Sequence, residues 1–92
     1  TATLAVMPEI ARFFGIVIQM YYDDHEPPHF HARHGSAHAQ IQLDPVQLLG
    51  GHLPRAHLAL VLRWARLHES ELMECWRRIQ RDLPPGRIAP LE

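Results

Sequence analysis

Apolar and polar residues alternate with a period of two between residues 29 and 43, then recur with a helical period from residue 55 to about 81. This pattern predicts a sheet followed by a helix. In residues 29–34, Phe30 and Ala32 share one face while His29, His31 and Arg33 share the other; in residues 37–43, Ala37, Ala39, Ile41 and Leu43 oppose His38, Gln40 and Gln42. Joining the two apolar faces puts Arg33 opposite His38, His31 opposite Gln40 and His29 opposite Gln42. That is the register of a hairpin closed by a two-residue Gly35-Ser36 turn, and a slip of one residue would turn the histidines into the core. The run Ile16 to Tyr22, β-branched and aromatic after Gly15, predicts the first strand, with Ile16, Ile18 and Met20 inward and Tyr21 on the histidine face. After the Asp44-Pro45 turn, Val46 to Leu49 predicts a short fourth strand ended by Gly50-Gly51.

Pro54 opens a helix, and nothing interrupts it before Pro84-Pro85-Gly86. Leu58, Ala65, Leu72 and Ile79 recur every seventh residue and, with Val61, Leu62 and Trp76, form one apolar stripe. The predicted helix covers roughly 28 residues and about 40 Å, with a kink expected near His68-Glu69-Ser70-Glu71. Glu69 falls within the stripe, so either a kink or exposed helix end carries it to water or it supports a histidine, and His68 at the edge reads as a satisfied core histidine or as a ligand. The fold class predicted is α+β: an antiparallel sheet of about four meander strands packed on one long C-terminal helix. Residues 1–7 read as a flexible N-terminal extension and residues 8–92 as one domain.

Composition adds constraints. A chain of 92 residues with 47% hydrophobic content suits one modest core. The formal net charge of −1 gives no global attraction to nucleic acid or anionic membrane, and all nine basic residues are arginines, so basic recognition would be local. Arg63, Arg66, Arg77 and Arg81, with Arg55 and Arg78 nearby, collect on the polar side of the helix and read as a solvated face or a contact for phosphate or an acidic partner. The lone Cys75 reads as structural, and with no signal peptide and no apolar stretch able to span a bilayer, the expectation is a cytoplasmic protein without a membrane partner.

The candidate chemistry is concentrated between Asp23 and His38, a run that holds five of the eight histidines. As a metal site, His25, His29 and His31 with Asp24 supply a loop pair and a same-face strand pair for a divalent transition metal such as zinc, with Asp23, Glu26 or His38 as further donors. As a metal-free ribonuclease, His29 and His31 would act as acid and base at RNA, Arg33 would stabilise the phosphate, and Tyr21 would join them. As an interaction module, the same polar face would contact a partner protein without turnover.

The strings Met7-Pro8-Glu9-Ile10-Ala11-Arg12-Phe13-Phe14-Gly15-Ile16, Asp24-His25-Glu26-Pro27-Pro28-His29-Phe30-His31-Ala32, Gly51-His52-Leu53-Pro54-Arg55 and Trp64-Ala65-Arg66-Leu67-His68 carry a resemblance across nearly all of the chain. They resemble a family of small, mostly bacterial proteins catalogued as domain of unknown function 4160. The resemblance implies one half of a two-gene module and a toxin-antitoxin-type component with a cognate small protein. It also implies a start at the equivalent of Met7, which would make Pro8 the N-terminal residue and its amine a conceivable catalytic group of the tautomerase kind.

Overall fold

The computed structural model describes residues 7–92. The extension expected at the N-terminus therefore lies largely outside the described residues. Its last member, Met7, is tied down: the side-chain amide of Gln19 donates to the Met7 carbonyl at 3.3 Å.

The strict alternation of residues 29–43 forms β3 (His29–His34) and β4 (Ala37–Leu43), paired in the register that their apolar faces require: His29 with Gln42, His31 with Gln40, Arg33 with His38. Gly35 supplies the positive φ of the two-residue turn. The strand before them is β2 (Ile16–Gln19), which stops short of the Tyr22 boundary expected from composition. In front of it lies an additional strand, β1 (Glu9–Phe13). The sequence conceals β1 because a bulge between Glu9 and Ala11 breaks the period of two, so that the neighbours Ile10 and Ala11 are both buried. The last strand, β5 (Val46–His52), runs through Gly50 and Gly51 instead of ending at them. A bulge opposite Gln40 and Ile41 accommodates the passage. Gly51 has φ +77°, and a Cβ there would lie 2.3 Å from the His38 carbonyl oxygen, so only glycine lets β5 approach β4 so closely. The result is one antiparallel meander of five strands, where four were expected, in the order β1-β2-β3-β4-β5.

The expected long helix is two: α1 (Arg55–Leu67) and α2 (Glu69–Gln80). They part at His68, with φ −125° and ψ 29°. A straight rod of about 40 Å would overrun a molecule whose longest extent is 38 Å. Breaking it lets both halves pack on the sheet. Glu69 and Glu71 in the first turn of α2 oppose the positive end of its dipole, and Glu69 is exposed. His68 pairs with Glu71.

The core lies between the helices and one sheet face. Ile16, Ile18, Met20, Phe30, Ala32, Ala39, Ile41 and Leu43 meet Val61, Trp64, Ala65, Leu72, Cys75, Trp76 and Ile79, all buried. Trp64 is the hub, its ring 5.2 Å from Phe13 and edge-on to Phe30 at 5.8 Å, while its indole N–H donates to the Ala89 carbonyl at 2.8 Å. Leu58 and Leu62, expected to be largely buried with the rest of the stripe, are only half-buried. The C-terminal segment closes the far edge: Ile88 N–H donates to the Ile10 carbonyl at 2.9 Å, and Arg87 pairs with Glu9 at 3.1 Å.

Candidate metal centre

Because side chains alternate along a strand, His29 and His31 leave β3 on the same side, opposite Phe30 and Ala32. They lie on the face away from the main core, as side-chain parity predicts, but that face is covered here. His29 is 7% and His31 3% exposed, so β3 is buried on both faces here. The cover is the loop between β2 and β3 together with the end of α2. Tyr21 stacks flat on the His31 ring, centroids 3.9 Å apart and 7° from parallel, and Trp76 of α2 lies 5.6 Å from the His29 ring. The loop is held by Tyr22, whose hydroxyl donates to the Leu83 carbonyl at 3.2 Å, and by the Gln80 amide, which donates to the Asp24 carbonyl at 3.3 Å.

Asp24 is placed by a reciprocal clamp: its N–H donates to the Tyr21 carbonyl at 3.1 Å, and the Tyr21 N–H donates back to Asp24 Oδ2 at 3.2 Å. The carboxylate is thereby aimed at both imidazoles. His29 Nε2 lies 3.5 Å from Oδ1, and His31 Nε2 lies 3.0 Å from Oδ2. One donor atom from each of Asp24, His29 and His31 falls within 4.8 Å of the others. A tetrahedral ion with bonds of about 2.0–2.2 Å places its donor atoms about 3.3–3.6 Å apart. The two carboxylate–imidazole separations, 3.5 and 3.0 Å, lie on that edge and just short of it, so the three groups can close on one ion with small adjustments.

The outer nitrogens are also engaged. His29 Nδ1 lies 2.8 Å from the Pro27 carbonyl, an acceptor only, so Nδ1 carries the hydrogen and Nε2 presents its lone pair inward. His31 Nδ1 lies 2.9 Å from His38 Nε2. Such outer bonds fix ring orientation in metal-ligating histidines. His31 is held below the ordinary histidine pKa chiefly by burial, and by its neighbours His29 and His38, against the opposing pull of Asp24. His38 is likewise lowered, by burial and then by Arg33. Both rings are therefore neutral at pH 7, the form that ligates.

Of the other residues singled out in the sequence, Tyr21 and Arg33 adjoin the group: an Arg33 terminal N–H donates to the Tyr21 hydroxyl at 2.7 Å and Arg33 Nε–H to Gln19 Oε1 at 3.2 Å. His38 touches His31 from behind and lies outside the three-residue group. His25 is not brought in either; it is exposed, as are Asp23 and Glu26. Glu69 and His68 sit at the helix break and support no histidine of the group. In the arginine stripe, Arg77 pairs with Glu74 at 3.0 Å, Arg78 donates to the Pro84 carbonyl at 2.6 Å, and Arg55, Arg63, Arg66 and Arg81 are exposed. Gln19, the Pro27 carbonyl and Trp76 were not legible as parts of the site. Gln19 could have been found by aligning β2 against β3, where it stands opposite His31.

Among known proteins, a family model described as a domain of unknown function, DUF4160, matches residues 15–77, a span containing Asp24, His29 and His31 with Tyr21, Arg33, His38 and Trp76. No curated protein and no solved structure matches the chain.

Proposed function

For this chain, which belongs to the family described as a domain of unknown function, DUF4160, we propose a metal-binding function: Asp24, His29 and His31 hold one divalent transition ion, zinc being the first choice. The observation that carries this reading is the convergence of a clamped carboxylate and two buried imidazoles within 4.8 Å, with the His29 lone pair already turned inward by Pro27. Two nitrogens and one oxygen leave a fourth position for water or a ligand, as in catalytic rather than purely structural sites. The ion would polarise whatever fills it.

A metal-free ribonuclease is the weaker reading. General acid–base work requires each imidazole to reach the substrate within hydrogen-bond distance. Here three of the four ring nitrogens of His29 and His31 are engaged by Asp24, Pro27 and His38, the fourth, His29 Nε2, faces the Asp24 carboxylate, and both rings are almost fully covered. Toxin-antitoxin membership and a cognate small protein rest on family resemblance alone.

The test is metal analysis of protein prepared without a histidine tag, followed by zinc titration of the stripped chain. One zinc per chain is expected, with affinity lowered at least tenfold by Asp24→Asn or His31→Ala, in line with losses seen even for outer partners of metal ligands. Wild-type protein that takes up no zinc, cobalt or nickel with stoichiometry would end this reading.

A further inference from the structure

We propose that metal loading reverses the hydrogen-bond direction from His31 to His38 and thereby turns Tyr21, Arg33 and His38 into a donor-only site for a small oxyanion, a carboxylate or phosphate group. The inference rests on the metal reading above and extends it to the class of ligand.

The geometry starts with Arg33. Its guanidinium is half-buried and braced at two points, but both partners, the Gln19 amide and the Tyr21 hydroxyl, are neutral. Among the described residues it forms no ion pair. A partly desolvated cation without a counter-charge is a standing attraction for an anion. Because the Tyr21 oxygen accepts from Arg33, its own hydrogen remains free to donate. His38 stands directly across the β3–β4 ladder from Arg33, so the two side chains are neighbours on one face.

What His38 offers depends on Asp24 and the ion. Without metal, the Asp24 carboxylate accepts the hydrogen on His31 Nε2 at 3.0 Å. His31 Nδ1 is then bare and must accept from His38 Nε2–H at 2.9 Å, which leaves His38 Nδ1 as a lone pair that repels anions. With metal on His31 Nε2, the hydrogen moves to His31 Nδ1 and is donated to His38 Nε2. A neutral His38 then carries its hydrogen on Nδ1. That nitrogen has no protein partner among the described residues and is not a buried orphan, so it is open to a ligand. Three donors, the Arg33 guanidinium, the Tyr21 O–H and the His38 Nδ1–H, then lie on one sheet face beside a site whose ion leaves net positive charge after Asp24 is counted. Anion and metal would therefore bind cooperatively, each strengthening the other by the same factor.

The test uses the full chain labelled with ¹⁵N. Long-range ¹⁵N–¹H correlation reads which His38 nitrogen is protonated before and after zinc, and calorimetry then measures sulfate, a tetrahedral dianion, and acetate binding to both forms. The expected result is a shift of the His38 hydrogen from Nε2 to Nδ1 on zinc addition, with anion affinity raised on the order of tenfold. Sulfate preference would assign a phosphate-type ligand and acetate preference a carboxylate. Arg33→Gln should bind zinc with unchanged stoichiometry and lose the anion. If zinc binds but the His38 tautomer is unchanged, or if Arg33→Gln retains zinc-dependent anion binding because the anion sits on the ion itself, this proposal falls and the metal reading stands. If zinc does not bind, both fall.

Discussion

At the scale of single residues, environment decides which of the chemically capable side chains can act. Cys75 is buried, its thiol donates to the Pro85 carbonyl at 3.4 Å, and burial, with Glu71 next, raises its pKa to about 11. Since the thiolate is the nucleophile, the folded chain should react with iodoacetamide at pH 8 many times more slowly than the chain in denaturant. Equal rates in the two states would show the thiol to be exposed. This agrees with the structural role that its place in an amphipathic pattern suggested. The histidines illustrate the converse: side-chain parity correctly put His29, His31 and Arg33 on one side of β3, but parity cannot tell whether that side is covered. The cover comes from Tyr21 and Trp76, one from a loop and one from a helix 45 residues further along the chain. For the same reason His25, in the densest part of the motif, is left exposed while Asp24 beside it is captured by the Tyr21 clamp.

At the scale of elements, the strands with unbroken alternation were legible and those with bulges were not. The β3–β4 register followed from Phe30, Ala32, Ala39 and Ile41 alone, whereas β1 was hidden by its bulge and β5 was cut short by reading Gly50-Gly51 as an end. Gly51 is instead a point of close approach, and Gly51→Ala should lower stability by about 1–3 kcal/mol through its positive φ, with further loss from the overlap at the His38 carbonyl. Chemical denaturation measures it; a neutral substitution would mean that β5 does not approach β4 as closely as described. The helical stripe was legible too, but its length exceeded what the sheet can seat, and the break at His68 follows from that mismatch. Leu72, just inside α2, is fully buried. Leu72→Ala should cost about 2–5 kcal/mol by denaturant midpoint at unchanged slope. A cost under half of that lower bound would place α2 away from the core.

At the scale of the whole molecule, the two ends of the described chain close on each other, and the closure is electrostatic at its rim. Glu9 accepts from Arg12 and Arg87, and these hydrogen bonds lower its pKa from 4.5 to about 2. A carboxyl depressed in the folded state contributes stability that is complete above the unfolded value and is lost as pH falls through the folded one. The melting temperature of wild type should therefore exceed that of Glu9→Gln at pH 6, and the difference should shrink from below pH 4.5 towards pH 2. A difference independent of pH would remove Glu9 from the closure. Folding also brings Asp24 from its loop, His29 and His31 from β3 and the cover from α2 into one centre, a convergence that the sequence suggested only in part, because the motif marks donors without marking which of them the loop turns inward. The most direct test of that centre is the anomalous difference map of a zinc-soaked crystal measured at the zinc edge. One peak about 2.0–2.2 Å from an Asp24 oxygen and from Nε2 of His29 and His31 is predicted; a peak at His25, with none at this group, would contradict it.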